Sequence, residues 1–211
     1  MKELEALYGE PGGGIVYVIG SESNPEKLWS LAQPSALVAV RVKDWNRELS
    51  PWPAEKCFKG GSAFDGGADE LLAKLTEELI PRAEAGRSFR WRAIAGYSLA
   101  GLFALYALSR ASCFNAALSA SGSLWFDGWM DYLRGHALSG KAVYLSLGGC
   151  EEHTKNARLA AVGENTRETE RILRARGLNT VLEMNEGGHF ADADERIAKG
   201  VRWLLRQPMA K

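Results

Sequence analysis

Gly96-Tyr97-Ser98-Leu99-Ala100-Gly101 joins two stretches of different character. Residues 89–95 before it read as a strand running into the centre of a sheet, and residues 99–108 after it are apolar and rich in helix formers. The serine therefore stands on a strand-to-helix turn. This is the setting of a G-x-S-x-G nucleophile elbow, a turn so tight that the residues two before and two after the serine must be small. Gly96 and Ala100 meet that demand, and Gly101 lets helix and sheet pack closely. A serine so placed sits above the carboxyl end of the strand, at the positive end of the helix. There the backbone N–H of Leu99 can meet a developing oxyanion. A bare Gly-x-Ser-x-Ala occurs by chance in many chains, so the weight rests on what surrounds it.

Outward from the elbow, strands and helices alternate. Buried, β-rich runs at residues 15–19, 36–42, 114–120, 143–147 and 180–184 join the one at 89–95. Helical patterns cover 69–85, 99–108, 156–176 and 192–206, with Pro81 expected to kink or end the first of them. This alternation predicts a three-layer α/β fold with a mostly parallel sheet of about six strands. No linker, repeat or low-complexity segment interrupts it, so residues 1–211 read as a single domain.

A serine hydroxyl needs a base to take its proton, and the base needs a carboxylate to fix its tautomer and stabilise its charge. Of the three histidines, His136 has no strand immediately before it and His153 starts a polar helix. His189 follows the last strand on a Gly-Gly turn that can carry the imidazole over the sheet edge, and is the expected base. The acid should lie on the loop after the penultimate strand. Glu151 and Glu152 are both there and cannot both face the imidazole; Glu151, third after Gly148, is preferred.

Two further stretches could wall a pocket. Residues 44–67 show neither helical nor alternating pattern, yet Trp45 and Trp52 argue against disorder; they either line a pocket or pin the loop to the core. Trp125 and Phe126 follow a strand whose carboxyl end opens on the side of Ser98, and Tyr97 adjoins the serine. With Arg47, these five aromatic residues are the expected substrate contacts.

Lysine plus arginine equals aspartate plus glutamate at 26 each, and no basic stripe stands out, so no nucleic-acid partner is expected and a neutral or small substrate is the simpler expectation. The first ten residues contain acids and no long apolar run, which is unlike a signal peptide or membrane anchor. Cys57, Cys113 and Cys150 are odd in number and lack metal-ligand spacing, favouring reduced thiols and a cytoplasmic protein with no metal or other cofactor.

The chain resembles the α/β-hydrolase superfamily and, within it, the putative-esterase group that includes ferric-enterobactin esterases, esterase D and mycolyltransferases. The residues that carry the resemblance run from Gly96 to Tyr106, from Leu118 to Trp125 and from Leu147 to Glu151, with Gly188-His189 and the Arg47-Glu48-Leu49 stretch. It implies a serine esterase with a Ser98–His189–Glu151 triad and a second oxyanion N–H from the turn after the first buried strand, at Ser21 or Glu22. The family fold usually opens with an antiparallel strand pair. Fourteen residues before Ile15 are few for one, and no lid insertion is seen, so a minimal, open-sited hydrolase is expected, which sits poorly with a large trilactone substrate. An acyltransferase using the same acyl-enzyme, and a non-catalytic binding module, are the competing readings.

Overall fold

The computed structural model describes residues 3–10, 12–20 and 24–209. In chain order the elements are β1 (Leu4–Tyr8), β2 (Ile15–Ile19), α1 (Pro25–Ala32), β3 (Ala36–Val40), α2 (Trp45–Glu48), β4 (Pro53–Ala54), β5 (Phe64–Asp65), α3 (Ala68–Lys74), α4 (Ile80–Glu84), β6 (Arg92–Tyr97), α5 (Leu99–Arg110), β7 (Ala116–Ala120), α6 (Trp129–Gly135), β8 (Ala142–Gly148), α7 (Ala157–Ala160), α8 (Val162–Ala175), β9 (Asn179–Asn185) and α9 (Ala193–Leu205).

Strand β2 is buried at every position, and its period-two alternation explains the layers. Ile15, Tyr17 and Ile19 belong to the core cluster that also holds Leu102, Phe103 and Tyr106 of α5 and Leu173 of α8. Val16 and Val18 belong to the other cluster, with Leu28 of α1 and Ile197, Val201 and Leu204 of α9. Helices thus cover both faces, and the strands run β1-β3-β2-β6-β7-β8-β9. Every neighbouring pair from β3 to β9 is parallel, so the loops at their carboxyl ends share one edge. That edge is where an α/β sheet carries its chemistry.

The sheet has seven strands rather than the six expected from sequence. The extra one is β1, antiparallel to β3 in the register Leu4↔Val40 to Tyr8↔Ala36. Five residues suffice for an edge strand, and Leu4 and Ala6 pack on the core. Among the described residues the N-terminal stretch thus holds one antiparallel strand rather than the pair for which it was expected to be too short. The helix expected over 69–85 runs as α3 and α4, joined by a π-helical turn, Leu75–Leu79. Pro81 lacks an N–H and crowds the carbonyl four residues back; the wider turn, in which Ile80 N–H reaches Leu75 O, accommodates it. The helix expected over 156–176 is broken at Ala161 into α7 and α8. The stretch 44–67, patternless in sequence, contains α2 and the β4–β5 ribbon.

Candidate active site

Ser98 occupies the turn between β6 and α5 with φ 57° and ψ −124°, a conformation in which a side chain is strained. Three contacts over-determine it. Ser98 N–H donates to Ala120 O at 3.0 Å, and Ser98 O accepts from Gly101 N–H at 2.9 Å and Ser123 N–H at 3.0 Å. A Cβ on Gly96 would lie 2.2 Å from Ala100 O, so the small residue before the serine is a steric requirement. Leu99 opens α5, so its N–H is among those with no partner inside the helix and is directed toward the serine end. Ser21 and Glu22, expected to supply the second oxyanion donor, lie outside the described residues.

The Ser98 hydroxyl is 2.9 Å from His189 Nε2, and His189 Nδ1 is 2.7 Å from Glu151 Oε2. Burial pushes the Glu151 carboxyl up. The hydrogen bonds it accepts from His189, Gly148 N–H and Ser121 outweigh burial and hold it below the usual carboxylate value. An ionised Glu151 can only accept, which assigns the proton to Nδ1 and leaves Nε2 free to accept from Ser98. Glu152 turns away: its carboxylate meets Arg167 of α8 at 2.6 Å, and Gly163, without a side chain, leaves room for it. His136 stacks on Tyr132 and bonds Tyr132 O, while His153 is exposed.

Three participants were not foreseen. Arg196, 2 % exposed, reaches Glu151 Oε1 at 3.0 Å, Ser121 Oγ at 2.8 Å and Tyr97 OH at 3.2 Å with one nitrogen. With the other it donates to Glu186 O at 2.9 Å and Gly188 O at 3.0 Å, the backbone that carries His189. Ser121 donates to Glu151 Oε1 at 2.7 Å, and Ser123 Oγ lies 3.3 Å from Ser98 Oγ. The signal for Arg196 was present, since it falls on the same stripe of α9 as Ile197, Gly200, Val201 and Leu204. A cation on a buried stripe needs a partner.

The expected substrate contacts separate. Trp45 and Trp125 line a cavity of about 180 Å3 beside Ser98 and Leu99. Trp125 also borders a cavity of about 420 Å3 that contains His189. The other four do not line either. Trp52 is a pin: its Nε1–H donates to Asp127 O at 2.8 Å and its ring packs on Phe126 and Tyr132. Phe126 is core, at 2 % exposure. Arg47 faces Glu70 at 2.9 Å instead, because α2 turns Trp45 and Asn46 toward the serine and Arg47 toward α3. Tyr97 donates to His189 O at 2.5 Å, which makes it a support for the histidine loop. Among the described residues no group of acidic, histidine or cysteine side chains is arranged to hold a metal ion, and no helix is long and apolar enough to cross a membrane.

The fold is shared with solved hydrolases. An IroE-like serine hydrolase from Shewanella oneidensis superposes with a TM-score of 0.81 at 18 % identity, over 96 % of this chain and 75 % of that one. The siderophore hydrolase EstA from Aspergillus nidulans gives 0.75 at 19 %, over 97 % and 94 %. In sequence, a siderophore enterobactin esterase of Emericella nidulans is 39 % identical over 71 residues, a match spanning 29 % of this chain and only 22 % of that relative. The model of the family described as Putative esterase matches residues 22–193, most of the chain and all of Ser98, Glu151 and His189. The chain belongs to the Putative esterase family.

Proposed function

We propose that the protein is a serine esterase that cleaves carboxylic esters through an acyl-enzyme, with Ser98 as nucleophile, His189 as general base and acid, and Glu151 holding the imidazole. The observation that supports this reading is the unbroken line from Ser98 Oγ to His189 Nε2 at 2.9 Å and from His189 Nδ1 to Glu151 at 2.7 Å. Ser98 Oγ bonds to the ester carbonyl carbon as its proton passes to His189 Nε2, and the carbonyl electron pair moves onto oxygen. Leu99 N–H, with a donor from Ser21 or Glu22, stabilises that oxyanion. Collapse breaks the bond to the alcohol oxygen, which leaves with the proton from His189. Water then repeats the sequence on the acyl carbon, releasing the acid and restoring Ser98.

The likeness to a siderophore hydrolase and a siderophore enterobactin esterase makes siderophore esters one substrate class to assay, cleaved by the same chemistry. The test is labelling by a fluorophosphonate. One covalent adduct on Ser98 in the wild-type chain, absent in Ser98→Ala and accompanied by loss of ester hydrolysis, supports the reading. Unchanged labelling in Ser98→Ala overturns it.

A further inference from the structure

Ser98 sits where two cavities meet, and the chemistry of the step decides which part of an ester enters each. The leaving oxygen must receive its proton from His189, so the alcohol extends into the cavity that His189 borders. The oxyanion turns to Leu99 N–H, and the acyl chain has the second cavity, which Leu99 borders and His189 does not.

The two differ in size and share a lack of charge. The acyl-side cavity measures about 180 Å3, with Trp45, Phe64 and Ser62 in its lining. A cavity of about 150 Å3 accepts one benzene molecule. The alcohol-side cavity measures about 420 Å3, with Leu159, Val162 and the exposed rings of Phe58 and Phe190 around it. Neither lining contains lysine or arginine among the described residues. The nearby guanidinium of Arg158 lies over the Trp125 ring, pairs with Asp127 at 2.9 Å and donates to Glu55 O at 2.7 Å, while its Nη2 is buried without a hydrogen-bond partner among the described residues. Glu151, the carboxylate among the described residues of the larger lining, is already paired with Arg196 at 3.0 Å and offers no free charge.

We infer that the substrate is a neutral ester with a small acid part, no larger than one ring or about six carbon atoms, and a larger, apolar alcohol part. This rests on the esterase reading above and narrows it. An anionic siderophore complex finds no lysine or arginine among the described residues that line either cavity.

The experiment is a matrix of purified-enzyme kcat/KM values. p-Nitrophenyl acetate, butyrate, hexanoate and decanoate probe the acid side; phenyl and 2-naphthyl butyrate probe the alcohol side; phenyl against 4-(carboxymethyl)phenyl butyrate probes charge. The expected result is a fall of about tenfold or more from hexanoate to decanoate, naphthyl at least equal to phenyl, and the neutral ester preferred over its anionic analogue by about tenfold. Ser62→Phe, on an exposed loop and so mild for folding, should lower the hexanoate rate more than the acetate rate. Decanoate cleaved as well as hexanoate, or a preference for the anionic ester, overturns the inference. If the fluorophosphonate labels Ser98 but no neutral ester is cleaved, this inference alone falls; if Ser98 is not labelled, the esterase reading falls with it.

Discussion

At the scale of single residues, the site depends on how two neighbouring glutamates are turned. Glu151 is buried against His189 and Arg196, while Glu152 lies against Arg167 nearer the surface. Glu151→Gln keeps shape but removes the charge that supports an imidazolium, and should lower kcat by about 10³–10⁴ with little change in KM. Glu152→Gln removes a screened pair and should change kcat less than about tenfold. Steady-state kinetics of both on one activated ester checks the order; the reverse order would move the acid to Glu152. Arg196 offers a sharper test, because its guanidinium holds Glu151 and the His189 backbone together. Arg196→Met leaves a buried carboxylate without its cation and should destabilise the fold by about 3–5 kcal/mol, read from denaturant unfolding. Arg196→Lys keeps the charge but cannot span both sets of acceptors, so a partial loss of kcat with a milder loss of stability is expected.

At the scale of elements, the β6–α5 turn concentrates the strain. Gly96→Ala would place a methyl carbon 2.2 Å from Ala100 O, a backbone atom that cannot move without displacing α5. A loss of at least about 1–3 kcal/mol is expected, or a melting temperature lower by about 2–4 °C per kcal/mol for a chain of this length. Ester hydrolysis should fall as well, since Ser98 is carried on the same turn; a Gly96→Ala variant with wild-type melting and rate would contradict this account. This element was legible in the sequence because its requirements are local: a small residue, a serine and a small residue between a strand and a helix. The parallel strands were legible for a similar reason, as each buries a nearly continuous apolar run. The edge strand β1 was not, because a half-buried strand of five residues in which Glu5 interrupts the apolar positions carries little periodic signal. Trp45 and Trp52 were equivalent in sequence and differ only in tertiary setting. One covers Gly20 beside the serine and the other is tied by a hydrogen bond to Asp127, 75 residues away. Arg47 failed similarly, since nothing local foretold Glu70 as its partner.

At the scale of the whole molecule, charged and titratable groups set the pH range over which the fold is stable. Glu151, Glu183, Glu152 and Glu3 all have carboxyls held below their ordinary value in the folded chain. For Glu151 and Glu183, burial acts against this and hydrogen bonds from His189 and from Tyr144 respectively outweigh it. For Glu152 and Glu3 the leading cause is the bond to Arg167 and to Lys74. A lowered carboxyl stabilises the fold above its unfolded value, and that contribution is lost as pH falls through the folded value. At the other end, burial first, then the acceptors Glu84 and Glu183, push the hydroxyls of Tyr17 and Tyr144 far above the usual tyrosine range. A raised phenol has the opposite sign: the unfolded chain releases its proton near pH 10 while the folded chain keeps it, so stability falls as pH rises beyond about 10. The melting temperature should therefore be nearly level between about pH 5 and 9 and decline on both sides. Tyr17→Phe separates the causes. It removes one phenol that the folded state holds protonated, so its alkaline decline should be shallower than that of the wild type, while its acid decline, set by the carboxylates, should keep its slope. Thermal melts of both chains from pH 3 to 11 decide it: an unchanged alkaline slope would mean that Tyr17 ionises as readily in the folded chain as in the unfolded one.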